Sequence, residues 1–210
     1  MRKPRTWSAV LAGIGLTVLL LLTWQLHPWG RFDLTAFDPD VVARADTAMW
    51  KAYYDKDRTA MVHRMARLVR KQTSASFLQS YILSYLASRA AFEFKHGKNR
   101  ADYRKALPWL RRFYSLVETA SAQPFDPERA AELELEWWIV HRERWSRRRG
   151  DLGPALAVSM AEVYQVPPED LANYGDSRAR AMTLRDISSW RNEGTVPEAD
   201  WQRIEELLQQ

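Results

Sequence analysis

Two pairs of side chains in this sequence have the types and spacing for chemistry. Glu93 and His96 form Glu-x-x-His, and Glu134 and His141 lie seven residues apart. On a helix, residues three apart are neighbours, so Glu93 and His96 can both reach one metal ion. Carboxylate-bridged dimetal bundles use that spacing on two of their helices. Here the second copy is missing. Glu134 and His141 would stand about 10 Å apart along a helix axis, too far to share one ion. If the incomplete pattern holds iron, manganese or zinc, then Glu93, His96, Glu134 and His141 are the ligands and the reaction is metal-dependent and oxidative.

The same residues have a second reading. At about 100° per residue, Trp138, His141 and Trp145 fall within about 40° of Glu134, flanked by Ala130 and Ala131. Glu132, Glu136, Glu143, Arg129 and Arg147 gather on the far side as a solvated stripe. In SYILSYLASRAAFEFKH, Arg89, Glu93 and His96 share a face with Leu78, Ile82, Tyr85, Leu86 and Phe92, while Ser80, Ser84 and Ser88 line the other side. The apolar face is expected to be buried. A buried carboxylate or imidazole must find a partner or change its charge state. Arg89, Glu93, Glu134 and His141 are therefore expected as a buried structural network, with no cofactor required. Asp57 and Arg64 lie on one face of an earlier helix and could join it, whereas His63 falls on the opposite face.

Other chemistries have little to work with. The chain has no cysteine, which excludes disulfides, thiol nucleophiles and Cys-ligated metals. There is no glycine-rich phosphate loop, no His-Glu-x-x-His and no Gly-x-Ser-x-Gly elbow. The net charge is +5, and Arg2, Lys3 and Arg5 supply three of those charges, which leaves too little elsewhere to point to nucleic acid. Arg142, Arg144, Arg147, Arg148 and Arg149 cluster near a helix C-terminus, where the helix dipole favours cations. They are expected to be solvated surface, or to contact anionic lipid head groups if that end faces a membrane.

The elements that must position these residues are helices throughout. Asp38-Pro39 and Asp126-Pro127 are caps followed by proline at the first helical position. The first predicts a helix to about Arg70, bent near Asp55. The second predicts a helix ended by Gly150, Gly153 and Pro154. Further helices are expected over 75–96 with Gly97 as the stop, over 101–120 broken at Pro108, up to Tyr164, over 169–190, and from Pro197 onward. No alternating strand pattern and no 34-residue repeat appears. The ten tryptophans imply large flat surfaces buried against something.

The N-terminus supplies an address. Residues 6–26 carry no charge and, as a helix, would cover about 30 Å, the thickness of a bilayer core. Trp7 at one end and Trp24 and Trp29 at the other match an aromatic belt. Ala9, Gly13 and Thr17 have small-xxx-small spacing, which would let two such helices approach as a homodimer. A cleaved signal peptide is the competing reading, but the apolar run is longer than usual and no small-x-small site follows it. The expectation is an all-α protein with an N-terminal single transmembrane helix followed by a helical bundle domain. The parts are a basic cytoplasmic tail at 1–6, a signal-anchor at 7–26, a linker at 27–38 and the domain at 39–210. The positive-inside rule places the protein in the cell membrane with its main domain on the outer side. The role expected of that domain is binding or scaffolding toward a protein partner, with the membrane-tethered metal enzyme as the alternative.

Overall fold

The computed structural model describes residues 5–26, 33–145 and 151–210, with side chains described for 10–23 of the first stretch. The described residues form helices and no β-strand, so the all-α expectation holds. Helix α1 is Arg5–Leu26. The next two, α2 at Pro39–Tyr54 and α3 at Arg58–Thr73, replace the single bent helix expected from the periodicity. Lys56 takes a positive φ of 59° and Asp57 caps α3 by accepting from the Ala60 N–H, so the chain reverses instead of bending. Arg64 then reaches back from α3 to the Ala48 carbonyl of α2 at 2.8 Å.

Helix α4 is Phe77–His96, opened by a reciprocal capping box between Ser76 and Gln79 and closed at Gly97. A short helix α5, Arg100–Tyr103, leads through a 3₁₀ turn into α6, Leu107–Ala120, which has Pro108 in its first turn. Helix α7 is Pro127–Glu143, with Asp126 accepting from the backbone N–H groups of Glu128 and Arg129. The glycine and proline expected to end α7 instead lie in the first turn of α8, Leu152–Tyr164. Proline costs nothing there, because a first-turn N–H has no helical partner to lose. Helix α9, Ala172–Arg191, and α10, Glu198–Leu208, complete the chain.

Packing follows chain order and then closes. Each of α2, α3, α4, α6, α7, α8, α9 and α10 lies against its successor, and α10 returns to α2. Two apolar cores result. One gathers Leu83, Leu107, Leu110, Leu135 and Ile139 from α4, α6 and α7; the other gathers Trp50, Val140, Leu156, Met182 and Ile204 from α2, α7, α8, α9 and α10. Helix α7 contributes to both. Gly175 of α9 lies so close to α8 that a Cβ added there would meet the Gly153 carbonyl oxygen at 2.3 Å. Backbone contact at that distance needs the absence of a side chain.

One face is inverted relative to the pattern. On α4 the serine side is inside: Ser80 is 0% exposed and Ser84 1%. Their hydroxyls donate to the Phe77 and Ser80 carbonyls within their own helix at 2.7 Å, so burial leaves no donor stranded. Of the face expected to be buried, Leu86 is buried at 7%, but Tyr85 at 57% and Phe92 at 56% face out, with Phe77 beside them at 58%.

Among the described residues no helix is long and apolar enough to cross a membrane. The side chains described in α1 run from Val10 to Thr23, about 20 Å of helix at 1.5 Å per residue. All of them are exposed, including Leu11, Ile14, Leu16 and Leu19 to Leu22. The flanking tryptophans Trp7, Trp24 and Trp29 and the start of the basic tail lie outside the described side chains.

Candidate functional site

Glu134 sits where the two cores meet. Its carboxylate accepts three hydrogen bonds: from Tyr114 Oη at 3.0 Å, Trp137 Nε1 at 2.7 Å and Trp138 Nε1 at 2.9 Å. Trp138 packs on the first core and Trp137 on the second, so one carboxylate pins adjacent indoles that point into opposite interiors. Burial raises the Glu134 carboxyl above its ordinary value, opposed by the three donors and by the charge of Arg178. The Tyr114 hydroxyl is pushed well up by burial and by Glu134 itself.

Arg178, on α9, holds Asp46 of α2 at 2.7 Å. Asp46 is only 3% exposed, and its second oxygen has no partner among the described residues. Burial pulls Arg178 down, but Asp46 and Tyr174 outweigh it and keep the guanidinium firmly charged. Burial likewise pushes the Tyr174 hydroxyl up to about 12.

A second polar group lies two turns further along the same three helices. Asp186 of α9 is its hub. One carboxylate oxygen accepts from Tyr54 Oη at 3.0 Å and Arg185 Nε at 2.9 Å; the other meets His141 Nε2 at 3.0 Å and the Arg144 guanidinium. Burial alone would raise the Asp186 carboxyl, but His141, Arg185 and Arg144 together hold it well below the carboxylate range. Ionised Asp186 can only accept, so His141 Nε2 carries the proton. Burial lowers His141 and leaves the imidazole neutral near pH 7, with its Asp186 hydrogen bond opposing that shift. Trp50 links the two groups, with Arg178 at 5.5 Å and Arg185 at 4.4 Å from its ring. The result is one seam: Asp46, Trp50 and Tyr54 from α2, Glu134 and His141 from α7, and Arg178, Arg185 and Asp186 from α9. The spacing of seven between Glu134 and His141 serves two storeys of it.

The structure gives the four candidate ligands different partners. Glu93 pairs with Arg89 at 3.2 Å on the half-exposed flank of α4, and Arg89 lies 4.9 Å from the Trp109 ring. His96 is exposed, with Nδ1 2.8 Å from its own helix carbonyl at Phe92. Neither joins Glu134 or His141 in any hydrogen bond or ion pair. Among the described residues no three His, Asp or Glu side chains are placed to hold a metal ion. At the Asp186 hub a cation would also meet two guanidiniums, which disfavours it. Arg142 stacks 4.4 Å from Phe94 and donates to the Gly97 carbonyl at 3.0 Å. It and Arg144 are thus drawn into packing, while Arg147, Arg148 and Arg149 lie outside the described residues. Asp57 serves as a cap, and Trp145, past the end of α7, is 69% exposed.

Sequence reasoning singled out Glu134 and His141 but not Asp46, Tyr114, Arg178 or Asp186. Asp46, Trp50 and Tyr54 do recur at a spacing of four, which would have marked a polar edge on the apolar face of α2. What this arrangement does chemically is to satisfy buried charge and fix helix rotation. No family model matches the chain, and no curated protein or solved structure is significantly similar to it.

Proposed function

We propose that this protein is a single-pass, membrane-anchored helical module that acts by binding or scaffolding. The supporting observation is α1. Every described side chain from Val10 to Thr23 is exposed, on all sides of the helix, while the bundle has closed both of its cores without it. An uncharged helix that is apolar all round needs an apolar medium around it. The absence of charge over residues 6–26 extends that argument to a bilayer's thickness. The basic residues ahead of it favour a cytoplasmic N-terminus and a domain on the outer side. The role as a binding module rather than a catalyst draws on the seam, whose charged groups are mostly engaged with one another.

The test is fractionation with and without charge in α1. The chain should resist alkaline extraction from membranes. Leu16→Arg with Leu19→Arg should release it, since each arginine near a bilayer centre costs about 2.5–3.5 kcal/mol on insertion scales. Release of the unaltered chain by alkali would defeat the anchor reading. The iron, manganese or zinc alternative rests on Glu93, His96, Glu134 and His141. It requires a near-stoichiometric metal in the purified chain by elemental mass spectrometry, and loss of that metal on His96→Ala or His141→Ala.

A further inference from the structure

We infer that the outward aromatic face of α4, extended by Trp109 and Arg112 of α6, seats the bundle on the head-group region of the same bilayer that holds α1. This rests on the anchor reading and goes beyond it, because an anchor alone leaves the domain free to tumble on its tether.

Three observations carry it. The first is the inversion of α4. Phe77, Tyr81, Tyr85 and Phe92 follow one another along a stripe of the helix, and three of the four are more than half exposed while serines fill the interior side. Two ring pairs lie along it: Phe77 and Tyr81 are 4.8 Å apart, and Tyr85 meets Trp109 at 6.2 Å. Exposed aromatics gathered on one helix face in this way mark an interaction surface.

The second is its chemistry. Cations are threaded among the rings. Arg89 lies 4.9 Å and Arg112 5.6 Å from Trp109, and Arg89 is 5.9 Å from Phe92. Tryptophan and tyrosine with arginine beside them are what the membrane interface selects, with rings at head-group level and guanidiniums toward phosphate.

The third is position. Helix α1 meets the bundle at α4. The tether is also short. Leu34 is already buried in the first core, its N–H donating to Gln123 Oε1 at 3.2 Å, while Gln123 Nε2 donates to Asp33 at 2.7 Å. Residues 27–32 alone join the end of α1 to that fixed point, and the seven steps from Leu26 to Asp33 span at most about 25 Å. The bundle is therefore held within about 25 Å of the bilayer surface, and α4, the helix that carries the aromatic face, is the one α1 meets.

The absence of cysteine makes a clean test of the full chain. Single variants Leu19→Cys, Tyr85→Cys, Phe92→Cys and Gln202→Cys carry a spin label, and all four sites are exposed. Reconstituted in nanodiscs of phosphatidylcholine with phosphatidylglycerol, each label is scored by collision with oxygen, which enters lipid, and with a nickel chelate, which does not. The inference expects Leu19 to be oxygen-rich. Labels at Tyr85 and Phe92 should be several-fold better shielded from nickel than at Gln202 on α10. Tyr85 and Phe92 labels as nickel-accessible as Gln202, with Leu19 in lipid, overturn the docked face and leave the anchor intact. Nickel access at Leu19 removes the anchor and the inference together. Shielding at Tyr85 accompanied by spin–spin broadening between chains would assign the face to a second copy, and also overturns it.

Discussion

Replacing Glu134 by alanine strips three donors of their acceptor in one step. Tyr114 Oη, Trp137 Nε1 and Trp138 Nε1 all end on this carboxylate within 3.0 Å. A buried donor left unmatched costs about 1–3 kcal/mol. The indoles are only partly buried and can recruit water, so the low end applies to each, or about 3 kcal/mol in all. Removing a carboxyl that burial already disfavours returns some of this, so the expected loss is about 2–3 kcal/mol. For a chain of this size that is a fall in Tm of roughly 4–12 °C. Thermal unfolding of the full chain in detergent, followed by near-ultraviolet dichroism, would read both the midpoint and the tryptophan environment. Glu134→Gln keeps the shape and one acceptor, and should lose less than half as much. Trp137→Phe should cost markedly less in the Glu134→Ala background than alone, a coupling of about 1 kcal/mol. A Glu134→Ala midpoint within about 2 °C of the parent would refute the idea that this carboxylate ties the cores together.

Other outcomes follow from the same seam. Arg178→Ala leaves Asp46 charged and unpaired in the interior and should cost about 3–5 kcal/mol in urea unfolding, whereas Asp46→Leu with Arg178→Met should recover most of that loss. Folding lowers both His141 and Asp186, so between folded and unfolded values the unfolded chain binds more protons and stability must fall on acidification. The first loss, from His141, should come as pH drops through about 6.5, and the second, from Asp186, below about 4. His141→Gln should flatten the upper limb of a stability–pH curve and, because His141 helps hold Asp186 down, weaken the lower limb as well. Gly175→Ala, which would raise helix propensity by about 1 kcal/mol at an open site, should instead lower the midpoint, because the new methyl meets the Gly153 carbonyl.

What the sequence disclosed here was local. Both Asp-Pro caps, the stop at Gly97 and the break near Pro108 depend on residues within one turn of each other, and all appear in the structure. The reversal at Lys56 was half visible, since Asp57 is a good cap but nothing nearby forces a positive φ. Helical periodicity placed Glu134 and His141 on an inward face. It could not supply Tyr114, which is 20 residues away from Glu134, or Asp186, which is 45 away from His141, because pairing across helices leaves no periodic trace. Periodicity succeeded only in part on α4, where Leu86 is buried as expected but Tyr85 and Phe92 are not. A hydrophobicity pattern assumes that serines stay outside, and on α4 self-bonded Ser80 and Ser84 are buried beside Leu83, Leu86 and Ala90. The partners of Arg89 and Glu93 changed with it.

The two indoles on Glu134 also bear on how the protein comes apart. Neither core can loosen without withdrawing a tryptophan from a carboxylate that the other core still holds. The clusters, which share α7 and α8, should therefore not behave as separate melting units. Amide protons in the middle of α7 should exchange with deuterium only at the rate of global opening, while those of α10, whose Glu198–Leu208 span carries no seam residue, should exchange through smaller local excursions. Helix α7 would then set the pace at which the fold is lost.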